Sequence, residues 1–396
     1  MQVRMNTRHT HGTSVTPDNT PGQEPRIKVL FVESGSGLYG AARSLIHLLG
    51  ASVGIDPEVV CPNEGNLATT IAGMGIRVRA LRFCRRSFRA HPFGHAIFMV
   101  QFRRILTRSK PDVLVLNSDG NATLAVLAAG KRTRIVRFCR TEFVPLRRRL
   151  DRYCWSRASA IISPSDHVAT QLRESLPPAF DPLIHRLYDP LPKYHVPRVE
   201  TEKRRLEFGL LRRPILACIA RLHPAKQIET AIQAMIPIRA RFPESLLVIV
   251  GDHDGSDGGR LYAQSLQGLV ERLGLKSHVL MLGFRTDVPE ILSASDLCVL
   301  PSATESFGMV LGEAWQQEVA TVASAGSGCA EITLASQGGL LFAPGASDSL
   351  AKQATHILSM PQIAQSLGRA GSSWVAENCD PYRYAEKFLG ILQQLK

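Results

Sequence analysis

Residues 296–317, DLCVLPSATESFGMVLGEAWQQ, run from a short apolar segment through a polar loop into a longer mixed one. The segment 296–302 has the length of a buried strand and is closed by Pro-Ser, and 308–317 reads as a helix. Glu305 then lies in the loop above a sheet edge, and Glu313 lies eight residues on, further along the same helix. Between them Gly308, Met309 and Val310 offer helix-start amides to an anion, and Gly308 keeps that approach unobstructed. Two glutamates at this separation mean nothing alone. Behind a strand ending in Pro-Ser, with Phe-Gly between them, they mark a strand–helix junction built to receive an anion.

Working outward, the same strand–helix theme repeats on both sides. Upstream stand PILACIARL (214–222), the helical QIETAIQAMIPIRARF (227–242), SLLVIVGD (245–252), the helical YAQSLQGLVERLG (262–274), HVLMLGF (278–284) and the helical VPEILSAS (288–295). Downstream come VATVASA (319–325), GLLFAP (339–344) and C-terminal helices. An earlier series, IKVLFVE (27–33), PEVVCP (57–62), RVRALRF (77–83), DVLVLNS (112–118), TRIVRFC (133–139) and SAIISPS (159–165), alternates with helical stretches such as ARSLIHLLGAS (42–52). Alternation of this kind predicts parallel sheets with crossovers on both faces. A Pro-rich passage, RLYDPLPKYHVPRVE (186–200), separates the two series and reads as the linker. The expected organisation is a disordered tail over 1–25, Rossmann-like doubly wound α/β domains over 26–195 and 196–378, and a C-terminal helix over 379–396 returning to the first domain. The ligand cleft is expected at the carboxyl ends of the strands.

Length and composition agree with this division. At 396 residues the chain is too long for one ordinary core. Apolar residues make up 44% and charged residues 20%, as in a soluble globular protein, and no run of eighteen apolar residues exists. Residues 1–25 lack the apolar centre of a signal peptide. The eight cysteines are scattered without a CxxC pair, which suits core residues in a reducing cytoplasm better than a disulfide framework or zinc site. The net charge of +13 is unevenly placed: residues 26–200 carry 27 Lys/Arg against 13 Asp/Glu, residues 201–396 carry 18 against 19. An anionic partner is therefore expected for the first half only. In RVRALRFCRRSFR (77–89), RRILTRSK (103–110) and RRRLDRYCWSR (147–157) cations interleave with apolar and aromatic side chains, a mixture suited to an anionic membrane surface. No nucleic-acid recognition motif accompanies the charge, and no nucleic-acid partner is expected.

Two glycine and carboxylate patterns point elsewhere and are weaker. Gly35-Ser-Gly37-Leu-Tyr-Gly40 spells the dinucleotide-binding GxGxxG between a strand and a helix, which suggests an NAD-dependent oxidoreductase. That fingerprint also wants an acid at the end of the second strand, where this chain has Val60-Cys61-Pro62-Asn63 and only Glu64 beyond. The glycines still imply close backbone approach, either in a bare tight turn or to a phosphate near Gly40. Asp252-His-Asp254, with Asp257 beyond, has the look of a metal loop, but a calcium loop needs Glu eleven positions after Asp252 and residue 263 is Ala. A solvated acidic loop is expected there, and no metal.

Ala220-Arg221-Leu222-His-Pro-Ala-Lys226 follows the first strand of the second series, so Arg221 and Lys226 emerge at its carboxyl end. Two cations beside helix-start amides make a site for a diphosphate, and they would neutralise charge growing on a departing one.

The segments GLYGAARSL, PDVLVLNS, SAIISPSDHVATQL, ARLHPAK, LLVIVGD, VLMLGF, PEILSASDLCVLPS and ESFGMVLGEA, in this order, resemble the family-4 retaining glycosyltransferases of the two-domain GT-B fold. The resemblance runs across nearly all of residues 26–396. It implies two Rossmann-like domains facing a central cleft and a UDP- or GDP-sugar donor. It also implies a saccharide or lipid-linked acceptor, often at the inner membrane face, and no cofactor. By the same resemblance Arg221 and Lys226 hold the donor diphosphate and, with Glu305 at the donor sugar, form the catalytic set. Glu313 would bind the ribose hydroxyls, amides from Gly308 to Val310 would complete the pocket, and Gly40 would close on the diphosphate from the other domain. Arg140 stands where many members carry His, as a phosphate or acceptor contact. The chain departs from the family at Ala220 and Gln227, which flank the Arg…Lys segment in place of Gly, and at Glu318 and Ala320, which replace Gly and Pro and imply a turn of different shape. These departures keep open a non-catalytic sugar-nucleotide or polysaccharide-binding relative.

Overall fold

Among the described residues thirteen short strands, most of them rich in buried apolar side chains, form two parallel sheets. The computed structural model describes residues 26–83, 92–141, 149–207, 214–253 and 255–395. The tail 1–25, parts of the basic segments 77–89 and 147–157, and Asp254 of the acidic loop lie outside the described residues.

The first sheet is built from β1 (Ile27–Val32), α1 (Gly40–Ala51), β2 (Ile55–Pro62), α2 (Leu67–Gly73), β3 (Arg77–Leu81), α3 (Pro92–Ser109), β4 (Val113–Leu116), α4 (Ala122–Ala128), β5 (Arg134–Phe138), α5 (Arg149–Ser156), β6 (Ala160–Ser163), α6 (Asp166–Ser175) and β7 (Ile184–Arg186). Its strand order is β3-β2-β1-β4-β5-β6-β7, with every pair parallel. The chain starts in the middle, winds to one edge, then crosses β1 and winds to the other. This leaves a crevice at the carboxyl ends where the winding reverses. Both faces are covered, which is why β1 is apolar without alternation from Val29 to Val32. Val29 and Phe31 pack beneath α1 and α2, whereas Leu30 and Val32 pack against Phe98 and Phe102 of α3 and Ala122 and Val126 of α4.

The second sheet follows through α7 (Arg198–Glu207), β8 (Ile215–Ile219), α8 (Ile228–Arg241), β9 (Leu246–Val250), α9 (Asp257–Arg272), β10 (Val279–Met281), α10 (Val288–Ser293), β11 (Leu297–Leu300), α11 (Met309–Gln316), β12 (Thr321–Ser324), α12 (Gly328–Ser336), β13 (Gly339–Phe342), α13 (Ser347–Ser359), α14 (Pro361–Asn378) and α15 (Pro381–Gln394). Its order, β10-β9-β8-β11-β12-β13, repeats the winding of the first. Trp315 of α11 is fully buried and donates its indole N–H to the Gly338 carbonyl at 2.9 Å. A Cβ at Gly371 of α14 would sit 2.3 Å from the Trp315 ring, so only glycine lets that helix approach.

The last helix belongs to the first core. Tyr384, Phe388 and Leu392 of α15 join α1 and the inner face of β1 and β5, and the Phe388 ring stands 6.1 Å from Phe31 and 5.9 Å from Phe138. Burying a phenylalanine of this kind contributes about 1.5–3 kcal/mol, so α15 straps the two halves together.

Two of the departures noted in the sequence have a structural outcome. The turn after α11, expected to change shape when Glu318 replaces Gly, holds Glu318 in the left-handed region at φ 58°, the conformation glycine adopts without strain. Gln227 does the same at φ 46°, where it caps both the 3₁₀ turn Pro224–Lys226 and the start of α8. The seven described cysteines are buried and unpaired, and burial raises the Cys218 thiol to about 12. Among the described residues no helix is long and apolar enough to cross a membrane.

Candidate functional site

A cleft of about 600 Å³ opens between the carboxyl edges of the two sheets, a size that suits a small-molecule ligand. Gly40, Arg140, Arg221, Lys226, Glu305, Gly308, Met309, Val310 and Glu313, the residues expected at the donor and acceptor, all line it.

The second lobe supplies Arg221 and Lys226. β8 ends at Ile219, and the chain is pulled over the sheet by hydrogen bonds from Ala220 N to Val250 O (2.9 Å) and from Leu222 N to Asp252 O (3.0 Å). A Cβ at Gly251 (φ 136°) would fall 1.9 Å from the Ala220 carbonyl, so glycine is required for the two strand ends to meet. That contact turns Arg221 into the cleft, with its guanidinium 5.9 Å from the Tyr39 ring centre of the first lobe, within cation–π range. No carboxylate among the described residues pairs with Arg221. The next turn, Pro224–Lys226, is capped by His223 Nδ1 accepting from Ala225 N at 3.2 Å. It is tied to the loop after β11 by Ala303 N donating to Ala225 O at 2.9 Å. The Lys226 ammonium consequently reaches Glu305, at 2.6 Å from Oε1, and Ser302 Oγ donates to the same oxygen at 2.9 Å. Sequence reasoning treated Lys226 and Glu305 as separate contacts. In the fold each is the other's counterion.

Helix starts face the same space from both sides. α11 begins after Gly308, held at φ 90° with no side-chain cap, and a Cβ there would lie 3.1 Å from Cys329 and 3.2 Å from Leu300. α1 begins at Gly40 after Tyr39, again with no side-chain cap. A Cβ at Gly40 would stand 3.7 Å from Met309 Sδ, which shows how closely the two helix starts approach. Their first amides have no acceptor within their own helices and carry the positive end of the helix dipole.

Glu313, one turn into α11, is buried, and burial pushes its carboxyl above the usual carboxylate range. Arg43 of α1 opposes that shift from the other lobe, with Nη2 2.6 Å from Oε1. Sequence reasoning missed Arg43. Its place three residues after Gly40, on the first turn of a helix aimed at the cleft, was the available signal. It also missed the anchoring of Arg140. The Arg140 guanidinium lines the cleft but is held by Asp189, by Ser44 Oγ at 2.8 Å and by Asn117 Oδ1 at 3.1 Å. Ser44 in turn donates to Asp189 at 2.7 Å.

The GxGxxG loop is held in place by its own neighbours. Glu33 folds back to accept from Gly35 N at 2.6 Å, and a Cβ at Gly65 would fall 2.2 Å from the Ser36 carbonyl, so the loop after β2 is pressed onto the glycine run. β2 ends at Pro62, and the next acid, Glu64, is exposed.

Comparison with known proteins agrees with this architecture. The family model for glycosyl transferases group 1 matches residues 200–374, and that for the glycosyl transferase 4-like domain matches residues 36–184. A GDP-mannose-dependent alpha-(1-6)-phosphatidylinositol monomannoside mannosyltransferase of Mycolicibacterium smegmatis is 29% identical over 183 residues, covering 44% of this chain and 46% of its own. An N-acetyl-alpha-D-glucosaminyl L-malate synthase of Bacillus anthracis is 31% identical over 163 residues, covering 41% of each chain. The matches thus span less than half the length of these relatives. Among solved structures, Anabaena HepE in complex with UDP and glucose superposes with a TM-score of 0.81 at 21% identity, over 93% of this chain and 100% of that one. At that identity the likeness establishes the two-lobed fold alone.

Proposed function

Because the chain belongs to the glycosyl transferases of group 1, with a 4-like first half, we propose that it moves a sugar from a nucleotide diphosphate donor to a saccharide or lipid-linked acceptor, with retention of configuration. The observation that carries the reading is the convergence of Arg221, Lys226 and the starts of α1 and α11 on one interlobe cleft. A diphosphate seated there meets two cations and amides that have no acceptor within their own helices. These favour the charge that grows on its oxygens as the bond to the sugar breaks, in a site already organised for it. In this reading Arg221, Lys226 and Glu305 form the catalytic set, Glu305 and its Lys226 partner face the donor sugar, and Glu313 takes the ribose hydroxyls. Gly40 and Arg140 close the site from the acceptor lobe. The acceptor hydroxyl enters from the first lobe on the face the diphosphate leaves, and orientation supplies much of the rest.

The test is incubation with a panel of UDP-, GDP- and ADP-sugars. Release of the nucleotide diphosphate with Arg221→Ala at least tenfold slower supports the reading, and unchanged turnover in that variant refutes the clamp. Tight binding without turnover would make the protein a sugar-nucleotide binder, and NADH fluorescence enhancement an oxidoreductase.

The acceptor side has its own support. α3 exposes Phe93, Ile97 and Val100 in one stripe that continues into Arg104 and Arg108, and α5 adds exposed Leu150 and Tyr153 among arginines. An apolar stripe running into cations suits peripheral docking on an anionic membrane from the cytoplasmic side, where a lipid-linked acceptor would lie. The mycobacterial relative is named for a phosphatidylinositol mannoside. Co-sedimentation with acidic liposomes, lost in Phe93→Asp, supports docking; no pelleting of the unaltered chain removes it.

A further inference from the structure

Ser165 and Glu331 lie outside the cleft, yet they fasten its donor loop to the opposite lobe. Ser165 caps α6: its Oγ accepts from Val168 N at 3.3 Å and donates to the carbonyl of Ser306, in the other lobe, at 2.6 Å. The two amides before Val168 are taken by a single carboxylate from the other lobe. Glu331 Oε1 accepts from Asp166 N at 3.0 Å and Oε2 from His167 N at 2.6 Å. The Tyr188 hydroxyl donates to the same Oε1 at 3.1 Å. Ser306 returns a hydrogen bond from its Oγ to the Arg140 carbonyl at 2.8 Å.

The helix that carries Glu331 also shapes the donor loop. Gly328, the first residue of α12, donates its amide to the Glu305 carbonyl at 2.7 Å. A Cβ at Gly328 would lie 2.2 Å from the Ser306 carbonyl oxygen, so loop and helix start are in direct contact. The backbone of Glu305 and Ser306 is therefore held from two sides, by α12 within its own lobe and by Ser165 across the gap. Carboxylate-to-amide bonds at a helix start are the strong, charge-assisted kind. All of the cross-lobe bonds are lost together if the lobes part.

We propose that Ser165 and Glu331 are positioning residues: they form a latch that closes the lobes and, in closing, sets the Glu305–Gly308 loop for transfer. The chemical part rests on the proposed activity; the closure does not. Donor cations stay in place when the latch is cut, so the expected signature is a fall in kcat with little change in donor KM. A shift of about 1 Å at reacting groups costs about 10²-fold.

The experiment uses the full chain with dyes on Val53→Cys and Leu261→Cys, exposed sites in the two lobes, to follow interlobe distance by energy transfer. Release of UDP from UDP-glucose and of GDP from GDP-mannose is measured in parallel. Ser165→Ala and Glu331→Gln are expected to lengthen the distance and lower kcat, while Ser165→Thr, which keeps the hydroxyl, restores both. Glu331→Gln leaves the Ser165 cap on the Val168 amide in place, so it separates the latch from the loss of that cap. Unchanged distance and kcat in both variants overturn the latch, as does a rise in KM with kcat unchanged. A chain without turnover on any UDP-, GDP- or ADP-sugar of the panel, whose distance still responds to the variants, overturns the proposed activity and supports the latch as a closing device.

Discussion

Replacing Lys226 by Ala separates the two jobs its ammonium holds. In the free protein it neutralises Glu305 at 2.6 Å, with side-chain exposures of 21% and 16%. Breaking a fully buried ion pair costs about 3–5 kcal/mol, because the remaining charge is stranded. Here Ser302 still donates to Glu305 at 2.9 Å and some solvent reaches the pair, so the loss is smaller. A cost of about 1–2 kcal/mol corresponds to a melting midpoint lower by roughly 2–8 °C for a domain of this size. Toward the diphosphate, a lost charge-assisted hydrogen bond forfeits about 1.5–3 kcal/mol, or about 10- to 140-fold in affinity. The unmasked Glu305 carboxylate adds repulsion on top. Isothermal titration with UDP and GDP, a melting curve and steady-state release from the matching nucleotide sugar read the three effects. Adding Glu305→Gln to Lys226→Ala is expected to recover the melting midpoint without recovering turnover. Nucleotide diphosphate affinity within threefold of the unaltered chain would refute the reasoning, since the ammonium would then be only a counterion for Glu305.

Glu313→Gln is expected to raise the melting midpoint at pH 7 while weakening nucleotide-sugar binding. Burial raises the Glu313 carboxyl above its unfolded value, so its ionisation costs stability at pH above that value and nothing below it. The two proteins should therefore converge in melting near pH 4. His47 has the opposite dependence: burial lowers its pKa, so stability is full above about 6.5 and falls as acid forces the ring to charge. His47→Gln should flatten the melting profile between pH 7 and 5, and an unaltered slope would contradict this. Glu318→Gly should relieve about 1–2 kcal/mol of left-handed strain and return about 0.4–1 as unfolded-chain entropy, for a net rise of up to about six degrees in differential scanning calorimetry. The Arg369–Glu318 contact it removes is exposed and worth little.

Much of this architecture was legible in residue order because its signals are local. Buried parallel strands announce themselves as apolar runs, as in LLVIV (246–250), and the intervening helices by their spacing. Gly308 and the Phe-Gly before α11 marked a helix start, and the fold places it in the cleft. Local signals failed where the fold imposes a conformation the residue type disfavours, as at Glu318, whose left-handed backbone runs against the habit of a side chain with a Cβ.

Sequence alone thus determined two doubly wound units, a basic first half, and a set of cations, glycines and carboxylates at strand ends. Which charges meet was decided only by the tertiary structure. Lys226 and Glu305 lie 79 positions apart, and Glu331 lies 164 positions from His167, whose backbone amide it binds. Arg43 and Glu313 face each other from different lobes. The reason is physical: strand and helix periodicity is set by neighbours along the chain, whereas an ion pair across a cleft depends on how two separately wound sheets dock, and that geometry is written in packing rather than in residue order.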